Sequence, residues 1–210
     1  MSQIKRALLV IDVQNEYFSG NLKIEYPDVQ HSLANICAAM DAAHSAGIPV
    51  VVVQHLAAAG APVFARGSTG AALHPAVEAR PRDHLLEKSM ASALAGTDLG
   101  PWLRAREINT LAVVGYMTHN CDDATVRQAA HEGWKVELLH DAAGSLPYAN
   151  ALGRATAEEI HRVFTVVMHT GFAAVVSTAE WLRAVHSGET LAADNVYSSH
   201  QRALAERAQA

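Results

Sequence analysis

Short apolar runs alternate with longer stretches in which apolar residues recur every three or four positions. Ala7-Leu8-Leu9-Val10-Ile11 is the first run, and it ends at Asp12. Unbroken runs of this kind predict strands covered on both faces, as in parallel sheets. Further strands are predicted over 49–53, 84–87, 111–114, 134–139 and 173–176. Between them lie helical patterns. Over 28–46, Val29, Leu33, Ile36, Cys37 and Met40 recur at helical spacing, and Gly47 ends the helix. Cys37 falls on that apolar face and reads as core filler. A short helix is predicted over 97–106, with Asp98 near its start and Pro101 in its first turn. Another starts near Cys121 and stops at Gly133. Thr156-Ala157-Glu158-Glu159 has capping-box spacing and opens a helix with Ile160, Val163, Phe164, Val167 and Met168 expected on one face. A last helix is predicted over 179–185. The stretches 15–26 and 57–72 read as loops, the second suited to a lid or an oligomer contact.

Strands alternating with helices predict an α/β fold: a three-layer α/β/α, Rossmann-like sandwich around a mostly parallel sheet of about six strands. No repeat, low-complexity segment or linker interrupts it. One domain is therefore expected over 1–186. Residues 187–210 form a polar, alanine-rich tail that could extend as a helix on a partner subunit or fray.

Composition narrows the function classes. The chain has 210 residues, half of them hydrophobic, so one ordinary core is within reach. A formal net charge of -5 without a basic stripe argues against a nucleic-acid binder. No apolar run approaches the ~18 residues of a membrane span, and the N-terminus has no signal pattern. Two cysteines, Cys37 and Cys121, make no disulfide framework. A soluble cytoplasmic protein is expected.

The candidate chemistry centres on 113–125, a strand, a sharp turn and a helix beginning at Cys121. A thiol in the first turn of a helix is expected to have its pKa lowered by the helix dipole. Unpaired N–H groups of the turn could bind an oxyanion. The bland alternative is a buried structural cysteine. Asp12 and Lys88 also sit just after strands, and the strand ends of a parallel sheet converge on one edge. A carboxylate there can take the thiol proton, and an ammonium can stabilise the thiolate. Alone, Asp12 could be a turn residue and Lys88 a solvated surface lysine. Their joint placement favours catalysis.

Over about residues 5–185 the chain resembles the isochorismatase-like cysteine hydrolases, which include nicotinamidases, N-carbamoylsarcosine amidohydrolase and ureide hydrolases. Three ordered marks carry the resemblance. Leu8-Leu9-Val10-Ile11-Asp12-Val13-Gln14-Asn15 is similar to the family's apolar strand followed by D-x-Q-N/D. Lys88, then Ser92-Ala93-Leu94 and Gly96-Thr97-Asp98-Leu99, is similar to K…S-A-F-x-G-T-x-L, with Leu94 replacing the aromatic. Gly115-Tyr116-Met117-Thr118-His119-Asn120-Cys121 matches G-x-x-T-x-x-C. The resemblance implies Asp12 as general base, Cys121 as nucleophile and Lys88 supporting both. It also implies a cis peptide between Tyr116 and Met117, and an oxyanion hole from the amides of Met117 and Cys121. The implied reaction is hydrolysis of a small amide or ureide through a thioester. Tyr17, Tyr116 and Thr118 are candidates for contact with substrate, and a homodimer or homotetramer is expected.

Beyond Leu94, the sequence departs from the family in two further places. Metal-binding members carry Asp-x-His after the second strand, whereas here the residues are Val53-Gln54-His55. His55 and His74 alone make a weak metal set, so no metal or cofactor is expected. Asp122 and Asp123 follow the cysteine where an apolar residue is usual. They could face a cationic substrate, but a solvated first turn is the plainer reading. Rival functions on the same fold are other ester or ether hydrolysis, thiol redox sensing and a non-catalytic assembly module. Asp12 and Lys88 disfavour redox sensing, because it needs no positioned base. His161 reads as a packed core histidine. Trp102, Trp134 and Trp181 read as structural, with Trp134 also suited to an interface.

Overall fold

A computed structural model describes residues 4–209. In chain order the elements are β1 (Arg6–Ile11), α1 (Val29–Ser45), β2 (Val50–His55), α2 (Pro75–Glu78), β3 (His84–Lys88), α3 (Leu99–Ala105), β4 (Thr110–Tyr116), α4 (Asp123–His131), β5 (Lys135–Gly144), β6 (Tyr148–Asn150), β7 (Gly153–Ala155), α5 (Ala157–His169), β8 (Ala174–Val176), α6 (Thr178–Ser187) and α7 (Val196–Arg207). Six strands form one sheet in the order β3-β2-β1-β4-β5-β8, and every pairing is parallel. This is the expected three-layer architecture.

The alternation of side chains along each strand divides the core in two. Leu8 and Val10 of β1 face α1 and α6, packing with Ile36, Met40 and Trp181. Ala7, Leu9 and Ile11 face the other way, against Leu99 and Leu103 of α3, Val126 of α4 and Met168 of α5. Both faces of β1 are thus covered, which is why its sequence is continuously apolar. A buried polar network on the α1 and α6 side ties β1 to β5 and α6. Arg6 donates Nε and Nη2 to the two carboxylate oxygens of Glu137, each at 2.9 Å, and Nη2 also donates to the Glu189 carbonyl. The Trp181 indole donates to Glu137 at 2.9 Å.

β1 is flanked by β2 on one side and β4 on the other, so the direction of winding reverses between β1 and β4. A crevice opens at such a switch point, outside the carboxyl ends of the strands. Gly115 faces Ile11 across this seam. It holds φ 123°, and a Cβ there would collide with the Ile11 carbonyl, so only glycine fits.

Several elements differ from expectation. β5 runs on to Gly144, past the polar pair His140-Asp141. The hairpin β6–β7 and the short helix α2 carry patterns too brief to read. α4 begins at Asp123, because Thr118–Asp122 form a wider π-helical turn. On α5 the packed face is Ala157, Ile160, His161 and Met168, whereas Val163 and Val167 point outward with Val166. Trp134 is buried, with its indole donating to the Ile108 carbonyl at 3.1 Å. No helix among the described residues is long and apolar enough to cross a membrane.

Candidate active site

Asp12, His55 and Lys88 stand at the carboxyl ends of β1, β2 and β3. Cys121 follows β4, in the turn after it. Asp12 adopts φ 51°, a left-handed conformation uncommon outside glycine, and that bend swings its carboxylate over the sheet edge. Lys88 is the hub. Its Nζ lies 2.6 Å from Asp12 Oδ2, 3.2 Å from Cys121 Sγ, 3.2 Å from the Met90 carbonyl and 3.3 Å from His55 Nδ1. Three ammonium protons therefore serve four acceptors. Asp12 and Lys88 side chains are both fully buried. Beyond the Lys88 contact, neither Asp12 oxygen accepts a well-directed hydrogen bond from a described side chain or amide.

Burial dominates the protonation of this cluster. It pushes the Asp12 carboxyl above the ordinary 3.8, with the Lys88 charge offsetting only part of the rise. Burial works to lower the Lys88 ammonium, but its pairing with Asp12 and its hydrogen bonds to Asp12 and Cys121 outweigh it and hold the group above 10.5. Burial, with Asp12 second, drives the Cys121 thiol far up, so the helix-dipole activation expected from sequence is overturned. At rest the thiol is neutral and Lys88 is charged, while burial shifts the Asp12 carboxyl toward holding a proton. His55 is lowered by burial and then by Lys88, so it is neutral and accepts from Lys88 through Nδ1.

Asp12, His55 and Cys121 offer ligand atoms within 4.8 Å of one another. The same three side chains all contact Lys88 Nζ, which places an ammonium among them. His74 does not join them. Its Nδ1 caps α2 by accepting from the Ala76 amide at 3.2 Å, and its ring packs on Phe18.

A pocket of about 320 Å³ opens above Cys121, lined by Tyr17, Leu22, His55, Val63, Phe64, Ala91, Met117, Asn120 and Cys121. Tyr17 reaches it with its ring held between Phe64 and Tyr116, at 5.3 Å from each. The other two expected substrate contacts lie elsewhere. Tyr116 turns inward to share a 2.8 Å hydrogen bond with Ser32 of α1. Thr118 is buried against His161, with Oγ1 2.9 Å from Nδ1. The peptide between Tyr116 and Met117 is cis, as the resemblance implied. A larger depression of about 470 Å³ beside 190–193 has Lys135 as its one titratable lining residue and lacks this chemistry.

Two positioning residues were not singled out from sequence. Gln14 clamps two loops: Nε2 donates to the His55 and Ala71 carbonyls at 2.9 and 2.7 Å, and Oε1 accepts from the His55 amide. Its spacing after Asp12 was the available signal. Thr125 donates to the Cys121 carbonyl at 2.7 Å and accepts from the Ala93 amide, so the Ser92-Ala93 segment braces the nucleophile's turn. His119 joins that turn to Ser145, just after β5, and to Tyr148 of the β6–β7 hairpin, each at 3.0 Å.

Asp122 corrects the expectation of a solvated first turn. It is fully buried, and neither carboxylate oxygen has a hydrogen-bond partner among the described residues. Asp123 instead pairs with Arg127 at 2.9 Å. Burial, reinforced by Asp12, raises the Asp122 carboxyl well above 3.8, so the folded chain keeps a proton that the unfolded chain releases. Stability from this group is complete below about pH 3.8 and falls as pH rises toward the folded pKa, by about 1.4 kcal/mol per pH unit. Asp122→Asn is therefore expected to raise Tm at pH 7 and to match the parent near pH 3.5. Equal Tm values at pH 7 would show that Asp122 ionises in the fold.

Comparison with known proteins gives the lineage of the chain. The isochorismatase domain family matches residues 6–180. The crystal structure of an isochorismatase-type protein from Burkholderia xenovorans LB400 is 62% identical, covers 99% of this chain and 100% of that one, and superposes with a TM-score of 0.97. A streptothricin hydrolase of Streptomyces noursei is 38% identical over 65% of this chain and 49% of its own. A ureidoacrylate amidohydrolase of Methylobacterium radiotolerans is 30% identical over 82% of this chain and 76% of its own.

Proposed function

Because the chain belongs to the isochorismatase family of hydrolases, we propose that it is a cysteine hydrolase cleaving the C–N bond of a small amide or ureide through a thioester on Cys121. The observation that carries this reading is Lys88 Nζ bridging Asp12 Oδ2 at 2.6 Å and Cys121 Sγ at 3.2 Å beneath a pocket. The hydrolases of streptothricin and ureidoacrylate among its relatives support an amide or ureide substrate.

The chemistry follows from the resting protonation. Asp12, made more basic by burial, takes the Cys121 proton as Sγ attacks the substrate carbonyl. A thiolate formed only as the bond forms suits a thiol that is neutral at rest. Lys88 stays charged and compensates the negative charge moving between oxygen and sulfur. The N–H groups of Met117 and Cys121 stabilise the oxyanion. Asp12 returns its proton to the leaving nitrogen, and ammonia or an amine departs. Water then attacks the thioester with Asp12 again as base, which releases the acid and restores the thiol. Tyr17 and Phe64 shape the acyl pocket, whose volume lies at the small end for ligand sites.

A panel of small amides, carbamoyl amino acids and ureides, read by ammonia or amine release, tests the substrate class. Turnover of one group identifies the acyl portion. Turnover of esters with none of amides or ureides would move the reading to another carbonyl hydrolysis.

A further inference from the structure

We infer that the cavity between the β6–β7 hairpin and α5 is a second compartment of the substrate site, where the Tyr148 hydroxyl donates to an anionic substituent remote from the scissile bond. The inference deepens the hydrolase reading of Cys121 and rests on it. The cavity measures about 410 Å³. Ile160 and Phe164 of α5 supply apolar lining, and His119, Tyr148, Asn150 and Arg154 supply polar lining. It adjoins the Cys121 pocket across successive residues of one turn: Asn120 lines that pocket and His119 lines this cavity. The Tyr148 hydroxyl lies within electrostatic reach of both Cys121 and Tyr17. A substrate held over Cys121 can therefore extend past Tyr148 into the cavity.

The direction of the hydrogen bonds makes Tyr148 a donor. His119 Nδ1 lies 3.0 Å from Ser145 Oγ, and His119 Nε2 lies 3.0 Å from the Tyr148 hydroxyl. Burial lowers the His119 imidazole to about 4, so at neutral pH the ring carries one proton. Ser145 is fully buried, and among the described residues its hydroxyl has His119 as its one partner. Folded proteins avoid a buried hydroxyl proton without an acceptor. Ser145 therefore donates to Nδ1, which leaves the ring proton on Nε2. Nε2–H then donates to the Tyr148 oxygen, and the phenol keeps its own proton for a ligand. Burial, then the charge of Cys121, raises that phenol above its ordinary 10, so the proton is present at neutral pH. The rest of the lining fixes the ligand class. Arg154 forms no ion pair among the described residues. No acidic residue lines the cavity. Donors and one cation beside an apolar wall suit a carboxylate on a short hydrocarbon body and disfavour a cationic group.

The test uses the full chain and pairs a carbamoyl amino acid with its amino alcohol analogue, in which a hydroxymethyl group replaces the carboxylate. The parent is expected to favour the carboxylate member by about tenfold in kcat/KM, chiefly through KM. Tyr148→Phe and Arg154→Gln each alter an exposed residue, and each is expected to cut that ratio by about threefold or more. His119→Ala is expected to cut it too, and His119→Gln, whose amide can still donate to Tyr148, to restore part of it. Nitrogen-15 NMR of histidine-labelled protein reads the tautomer without turnover, with the His119 signals identified by their loss in His119→Gln. The Nε2–H form is expected. The Nδ1–H form overturns the inference, as does a parent that hydrolyses both members equally or a Tyr148→Phe enzyme that keeps the parental ratio. Turnover of other amides with none of this pair also overturns it and leaves the hydrolase reading standing. Silence toward every amide and ureide, with the Nε2–H form present, defeats the hydrolase reading and the second compartment with it.

Discussion

Cys121→Ala is expected to lower kcat by about 10⁴–10⁶-fold while leaving the fold intact, because it removes the atom that forms the covalent bond. The side chain is small and buried, so alanine fills most of its space, and Tm is expected to change little. Asp12→Asn keeps the shape of the carboxylate but cannot accept the thiol proton. A loss of about 10²–10⁴-fold is expected there, the usual worth of a positioned general base. The two variants together are expected to be no worse than Cys121→Ala alone, since base and nucleophile act in one step. In the parent, the acid limb of kcat/KM is expected above pH 3.8, because burial raises Asp12. Lys88→Met is a poorer probe of chemistry. It strands a buried carboxylate, and the resulting destabilisation would be mixed with any loss of rate. A Cys121→Ala enzyme retaining a tenth of parental turnover would remove the nucleophile from the account.

Arg6→Met is expected to cost about 3–5 kcal/mol of stability without altering the pocket. The mutation leaves Glu137 buried with the Trp181 indole as its remaining side-chain donor among the described residues, and it removes the Arg6 donor to the Glu189 carbonyl. For a domain of this size each kcal/mol moves Tm by about 2–4 °C, so a drop of about 6–20 °C is expected. Replacing both members, as in Arg6→Met with Glu137→Leu, is expected to recover part of the loss, because no unpaired charge is left behind. Differential scanning calorimetry of the three proteins checks this. A single mutant within a degree or two of the parent would mean that water reaches the network.

The fold was legible where burial is written into the chain. β1, β2 and β4 are covered on both faces, so their runs of apolar residues announce themselves. The meeting of Asp12, Lys88 and Cys121 was also legible, because all three follow strands whose ends share one edge. Features set by tertiary packing were not. The valines of α5 have helical spacing, but spacing alone does not say which face turns inward. His161 took the buried side, satisfied by Thr118. Asp122 has a surface residue's chemistry and a core residue's position, and nothing in the stretch 120–125 signals that. The thiol's ionisation depends on burial and Asp12 outweighing Lys88, a balance invisible in sequence. Tyr116 and Thr118 lie in the right motif, yet the backbone bend turns both side chains away from the pocket.

The most direct test of the central claim is intact-protein mass spectrometry after acid quench during turnover of the best amide or ureide from the panel. A covalent adduct equal to the acyl portion of the substrate is expected, mapping to the peptide that contains Cys121 and absent from Cys121→Ala. It is also expected to be released by hydroxylamine, as a thioester is. Steady turnover with no adduct at millisecond to second quench times, together with an active Cys121→Ala enzyme, would contradict the covalent mechanism and leave Cys121 a structural thiol.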